Sequence, residues 1–247
     1  MPEKHYYEQY NYTKEYLLPY FQKYVSNFKG LKVLEIGCAE AGFLAVMKEL
    51  GAEVFGVEIS PDRVNIAHEK NPDIKIFVGD ISGNNINEVI TEKFDFIVMR
   101  EVIEHIPDKA STFKNLDLLL NNGGFLFVSF PPKYSPFAGH QQIGRSFMKM
   151  TPFVHLLPKS LLDKAAKALH EKEDYIDEIK YNYFTGMGIR KFEQFIKKYK
   201  YKILQKDLFL FRPIYRGRFG LPTIKLPNAP LIREFVTFGY EIFLTKE

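Results

Sequence analysis

Lys32-Val33-Leu34-Glu35-Ile36-Gly37-Cys38-Ala39-Glu40-Ala41-Gly42-Phe43 is the stretch on which the fold turns. Val33 to Ile36 read as a short buried strand, a turn of small residues follows, and Phe43, Leu44, Val46, Met47 and Leu50 then fall at helical spacing. A strand that breaks into a helix through small residues leaves backbone N–H groups at the helix start. Those donors suit a carboxylate or phosphate of a bound cofactor, and small side chains let it approach the main chain. An ordinary strand–turn–helix without a ligand is the bland alternative. The rest of the chain decides between them.

Downstream the pattern repeats. The sequence predicts strand 53–58, helix 61–70 with Ser60 as cap and Pro61 at its first position, strand 74–79 ending at Gly79-Asp80, a weak helix over 85–92, strand 94–100, helix 108–121 and strand 125–130. Five short apolar strands alternating with helices imply an α/β fold with a parallel, doubly wound sheet. Ligands then bind at the carboxyl ends of the strands. Upstream, residues 5–28 are tyrosine-rich, with Leu17, Tyr20, Phe21, Tyr24 and Phe28 at helical spacing and Pro19 as a break. We read them as a helix packed on the domain rather than a flap over a ligand.

Residues 132–187 interrupt the rhythm. The part 133–158 reads as ordered irregular structure, and Ser160, with Asp163 in the capping-box position, begins an amphipathic helix. Helix 188–199, strand 201–211, a basic loop over 212–233 and a strand near 237–245 follow. The expected whole is one domain, 1–247, with a mostly parallel seven-stranded sheet: a cofactor half over 30–131, a lid-like insertion over 132–187, and a closing helix with two antiparallel strands over 188–247. Tyr134, Phe137, Phe147, Phe153 and His155 are the insertion residues expected to enclose an acceptor.

Composition is that of a globular protein: 247 residues, 46% hydrophobic, 26% charged, net charge +4. The mild basicity does not argue for nucleic acid. Cys38 is the only cysteine, which excludes an internal disulfide and points to a reducing compartment. Cys38 is read as a small turn residue rather than a reactive thiol. With no signal-peptide pattern and no apolar run approaching the ~20 residues of a membrane span, a cytoplasmic location is expected.

Gly37 to Gly42 nearly fits the dinucleotide fingerprint, with Glu58 about 20 residues on where an acid binds ribose hydroxyls, so a nicotinamide oxidoreductase is one reading. Glu35 inside the first strand, Asp80 at the end of the third, and Met99-Arg100-Glu101-Val102-Ile103-Glu104-His105-Ile106-Pro107-Asp108 after the fourth point elsewhere. Together with Val33 to Ala39, Val57-Glu58 and Gly79-Asp80-Ile81, they resemble the motifs of class I S-adenosylmethionine-dependent methyltransferases over roughly 30–131. The resemblance implies a Rossmann-like methyltransferase fold and S-adenosylmethionine as cofactor. Glu58, with Ile59 beside it, would take the ribose, and Asp80 and the Ile81 N–H the adenine. The Gly37-Cys38-Ala39 turn would receive the methionine part, and Glu35, with a carbonyl near Met99 or Arg100, its ammonium. Ala39 and Ala41 stand where the family usually has glycine, and each methyl narrows the turn.

Glu101, Glu104 and His105 share one face if the chain turns helically there. They resemble the Glu-x-x-Glu-His element of ubiquinone-biosynthesis O-methyltransferases and small-RNA 2′-O-methyltransferases, in which these residues hold a divalent metal. His140 is a candidate fourth ligand. His105 as a metal-free base or acceptor-site residue is the preferred reading, and a divalent metal or a purely structural role the lesser ones. The expected activity is methylation, most readily O-methylation, of a small organic acceptor. A non-catalytic S-adenosylmethionine-binding module and a nicotinamide oxidoreductase are the competing classes, and an RNA acceptor is disfavoured for want of a recognisable RNA-binding domain. Nothing in the sequence fixes the acceptor or an oligomeric state.

Overall fold

A computed structural model describes residues 2–172 and 174–247. The first helix runs as α1 (Pro2–Tyr12), a wide π-type turn over Thr13–Leu17, and α2 (Leu18–Phe21). Pro19, which has no N–H to donate, lies just beyond the wide turn, where the sequence predicts a break. Then follow β1 (Lys32–Ile36), α3 (Gly42–Glu49), β2 (Glu53–Glu58), α4 (Pro61–Lys70), β3 (Lys75–Val78), α5 (Ile86–Val89) and β4 (Phe94–Arg100). A 3-10 turn, Ile103–His105, precedes α6 (Lys109–Leu119) and β5 (Leu120–Phe130). The insertion carries three 3-10 turns, α7 (Lys159–Ala168) and α8 (Tyr175–Thr185). The chain closes with α9 (Ile189–Lys198), β6 (Tyr201–Phe211), α10 (Ile214–Phe219), β7 (Ile224–Leu226), α11 (Arg233–Val236) and β8 (Gly239–Lys246).

One sheet contains all eight strands in the order β3-β2-β1-β4-β5-β8-β6-β7. The pairs from β3 to β5 are parallel, and β8 enters antiparallel between β5 and β6. The seven expected strands are present. The eighth, β7, is a three-residue edge strand on β6 inside what the sequence marks only as a loop.

Alternation along the strands divides the core in two. Val33, Phe96, Val98, Phe127 and Phe243 face the N-terminal helices and α3, where Phe21 meets Phe96 edge-on at 4.9 Å. Leu34, Ile36, Ile97, Met99, Leu126 and Val128 face α5, α6 and α9. Burying one such aromatic is worth roughly 2–3 kcal/mol. The insertion has a small core of its own in which Tyr175, Ile176 and Ile179 of α8 pack on Leu162 and Ala166 of α7.

The Ser60 cap forms where the sequence puts it, Asp108 caps α6, a role not predicted for it, and the Ser160 cap does not form. Ser60 accepts from Arg63 N at 3.5 Å, and Asp108 from Ser111 N at 3.0 Å. α7 instead starts at Lys159 behind Pro158, so Ser160 lies inside the helix, and Asp163 pairs with Lys159 one turn earlier at 3.1 Å. β5 begins at Leu120 rather than 125, because Asn121 Nδ2 donates to Asp95 Oδ1 at 2.9 Å and holds the Asn121–Gly124 irregularity within the strand. No described helix is long and apolar enough to cross a membrane.

Candidate active site

The carboxyl ends of β1, β2, β3 and β4 open into a cleft of about 670 Å³ lined by Gly37, Glu58, Asp80 and Glu101, among others. α1 lies across it: His5, Glu8, Gln9 and Tyr12 also line the cleft, so the packed helix is at the same time part of the roof. α1 sits tightly on the start of α3, since a Cβ on Gly42 would collide with the Tyr6 carbonyl.

Several of the backbone donors that the sequence places at the turn after β1 are already used. Gly37 N and Cys38 N both donate to Val57 O, at 2.7 and 3.2 Å. Ala39 N donates to Glu58 Oε2 at 2.9 Å, and Gly42 N to Gln9 Oε1 at 2.9 Å. A pyrophosphate would need those groups. The carboxylates of Glu58 and Asp80 face the cleft, with Arg63 and Arg100 also in its wall. Ala39 and Ala41 sit in the left-handed region at φ 49° and 63°, which costs about 1 kcal/mol each. Gly37 has no substitute, because a Cβ there would collide with Val102.

Glu58 also accepts from Ser60 N at 3.0 Å, and its remaining lone pairs are available to ligand hydroxyls. Asp80 is not a helix cap: its Oδ1 accepts from Ser82 N and Ser82 Oγ, both at 2.8 Å, and Asn115 Nδ2 anchors the loop through Ile81 O at 2.7 Å. Exposed Ile59 and buried Ile81 supply apolar cleft wall between the two acids.

Three expected cofactor residues are not among those lining the cleft. The Cys38 side chain is fully buried behind the turn, close against Gly56, and Met99 is enclosed in the core by its strand alternation. Glu35 does not line the cleft. Arg100 does, donating to Glu35 Oε1 from Nη2 at 2.7 Å and Nε at 3.2 Å. Burial raises the Glu35 carboxyl to about 7, against the pull of Arg100, and Glu35 Oε2 has no hydrogen-bond partner among the described residues.

At the other end of the cleft the Glu-x-x-Glu-His element is split. Glu104, His105 and His140 bring ligand atoms within 4.8 Å of one another. The two imidazoles meet edge to face at 4.9 Å. Burial lowers the pKa of both rings, and Glu101 opposes this. Glu104 is buried with neither oxygen hydrogen-bonded among the described residues, and burial, then Glu101, drives its pKa up. Glu101 is drawn away: held at φ 55°, it receives Arg212 Nη2 on Oε1 at 2.5 Å and Nη1 on Oε2 at 2.7 Å.

Sequence reasoning missed Arg212, counted only within the basic loop, and Tyr12 and Tyr181, which line the cleft. The five aromatic and histidine residues expected to form a lid do not line it. Tyr134 borders a second hollow, Phe137 stacks on Phe238, Phe147 and Phe153 are exposed, and His155 is buried on Lys133 O at 3.1 Å. The insertion reaches the cleft through Tyr181 of α8 and places His140 beside His105.

A doubly wound sheet with acids at successive strand ends, and a turn several of whose donors are already used, defines a nucleoside-binding protein of the class I methyltransferase kind. The family model described as a methyltransferase domain matches residues 5–181, and the chain belongs to that family of S-adenosylmethionine-dependent enzymes. Its curated relatives include the ubiquinone biosynthesis O-methyltransferases of Actinobacillus pleuropneumoniae serotype 7 (strain AP76), 29% identical over 119 residues, and of Glaesserella parasuis serovar 5 (strain SH0165), 32% identical over 118 residues. Each alignment covers 45% of this chain and 50% of the relative. The chain thus spans about half the length of the curated relatives it matches. Similar solved structures include the plantazolicin methyltransferase BamL in complex with SAH, at TM-score 0.62 and 10% identity, covering 99% of this chain and 87% of that one. Another is an S-adenosylmethionine-dependent methyltransferase from Mesorhizobium loti, at TM-score 0.58 and 15% identity, covering 92% and 96%. At such identities the likeness is one of fold. The nicotinamide reading gives way to the methyltransferase family.

Proposed function

We propose that this chain transfers a methyl group from S-adenosylmethionine to a hydroxyl of a small organic acceptor, with His105 as the base. The observation that carries the reading is a single cleft with Glu58 and Asp80 at one end and, at the other, His105, whose pKa burial lowers. The O-methyltransferase names of the relatives support the choice of oxygen.

The residues suit the cofactor. Glu58 has lone pairs to spare for ribose hydroxyls, Asp80 and the Ile81 backbone stand where an adenine amine would be read, and Ile59 and Ile81 offer apolar faces to its ring. Arg100 alters one expected role. A guanidinium repels an ammonium and attracts a carboxylate, so Arg100 is assigned to the methionine carboxylate and Glu35 to holding Arg100. When bound, S-adenosylmethionine supplies an electrophilic methyl on a sulfonium. The protein aligns the acceptor oxygen with that methyl, excludes water under α1, and takes the hydroxyl proton onto a ring nitrogen of His105.

One observation favours a second reading. The buried carboxyl of Glu104, without partners among the described residues and beside two imidazoles, is a donor set that a divalent metal would hold in its ionised form, and the metal would acidify the acceptor hydroxyl. Glu104, His105 and His140 would hold it, and Glu101 would not. Incubation with S-adenosylmethionine and a panel of phenolic, sugar and amine acceptors, scored for S-adenosylhomocysteine, tests the proposal. Phenolic turnover that falls about 10²–10⁴-fold in His105→Gln supports it. Cofactor binding with no turnover across the panel makes the chain a binding module instead.

A further inference from the structure

A second hollow, about 510 Å³, opens beside the cleft, and Pro107 lines both. Four cations line it: Lys109, Lys133, Arg190 and Lys191. None of the four enters an ion pair among the described residues. The carboxylate in its wall, Glu234, is already committed, accepting from Ile189 N at 2.9 Å and Arg190 N at 2.7 Å and so capping α9.

The cations are close enough to disturb one another. Lys109 is brought down to about 8, first by burial and further by Lys191 and Lys133, against an opposing pull from Glu104. Lys133 is likewise lowered by burial and by Lys191. Such crowding persists at a cost unless an anion relieves it. Three aromatic residues line the hollow as well: Tyr134 and Phe235 meet at 5.9 Å, and Phe184 is 73% exposed.

We propose that this hollow is a second binding site, for a small soluble anion, a phosphate ester or a carboxylate carried on an aromatic body. Cations hold the charged group and the aromatic residues hold the ring. Occupancy would be felt at the reacting end, since the Lys109 ammonium donates to the carbonyls of Ile103 and Ile106 and so supports the turn that bears Glu104 and His105. The site does not depend on the methyltransfer reading.

Titration of the full chain with phenyl phosphate, followed by tyrosine fluorescence and calorimetry, tests it, with inorganic phosphate as competitor and S-adenosylhomocysteine affinity as the check on folding. Saturable binding that inorganic phosphate displaces, weakened at least about tenfold (~1.4 kcal/mol) in Lys133→Glu and in Lys191→Glu with S-adenosylhomocysteine affinity unchanged, is the expected result. No saturable binding up to about 20 mM, or equal affinity in both variants, overturns it. Co-sedimentation with phosphatidylglycerol vesicles without phenyl phosphate binding also overturns it, in favour of a membrane-facing patch.

Discussion

Arg212, just past the end of β6, grips both oxygens of Glu101, just past the end of β4, at 2.5 and 2.7 Å. The pair ties the late antiparallel part of the sheet to the candidate catalytic turn. The Glu101 side chain is 38% exposed, which puts the pair below the cost of a fully buried one. Arg212→Gln is expected to cost about 1–3 kcal/mol, a fall in Tm of about 2–4 °C per kcal/mol for a chain of this size. Thermal melts of the two single variants and of the double variant with Glu101→Gln check it. Additive losses would mean that the pair carries no coupling.

Glu58 both fastens the turn after β1 and faces the cleft. Glu58→Gln is therefore expected to weaken S-adenosylhomocysteine binding by about 10–100-fold, and Asp80→Asn by about tenfold. Calorimetry decides it, and wild-type affinity in both variants would remove the cofactor assignment.

His105 and His140 are held below the ordinary histidine pKa, chiefly by burial, so each favours its neutral form at pH 7. The acid limb of kcat/KM is accordingly expected below pH 6.5. With His105 as base, turnover survives EDTA. Loss of turnover on chelation, reproduced by His140→Ala, would transfer the chemistry to a metal on Glu104, His105 and His140.

Glu241 is buried among the ends of β5, β6 and β8, accepts from Tyr16 Oη at 2.8 Å, and is raised by burial to about 7, as is Glu35. A carboxyl raised from 4.5 to 7 binds a proton more tightly folded than unfolded. Its favourable contribution is complete below 4.5 and is lost as pH rises to 7. His155, lowered by burial to about 4, acts in the opposite sense, losing its contribution as pH falls from 6.5 to 4. Only a difference isolates either group. Glu241→Gln is expected to match wild type near pH 4.5 and to be more stable by a few kcal/mol above pH 7. Urea unfolding across that range checks it, and a gap independent of pH would refute the assignment.

The legible parts of this fold are those encoded locally. Ser60-Pro61 and the strand alternation each act within a turn or two, and both appear where the sequence puts them. Glu58 and Asp80 were legible as cleft-lining acids because strand-end position follows from topology alone. The tie between Glu101 and Arg212 was not legible because the two lie 111 residues apart, and neither residue carries a local sign of the other. β7 escaped for a related reason: three residues make a strand only where an edge awaits them. Glu35 was placed in the right strand, and its occupation by Arg100 could be seen only once the two strands lay side by side.

Cys38 is the sole thiol of the chain and is sealed behind the turn that every cofactor contact in this reading depends on. Burial keeps it protonated and inert while the turn is closed. Its alkylation therefore clocks transient opening of that turn, a gauge supplied by the native protein without any label. Saturating ligand at the cleft should slow the clock, and whatever loosens α1 from α3 should quicken it.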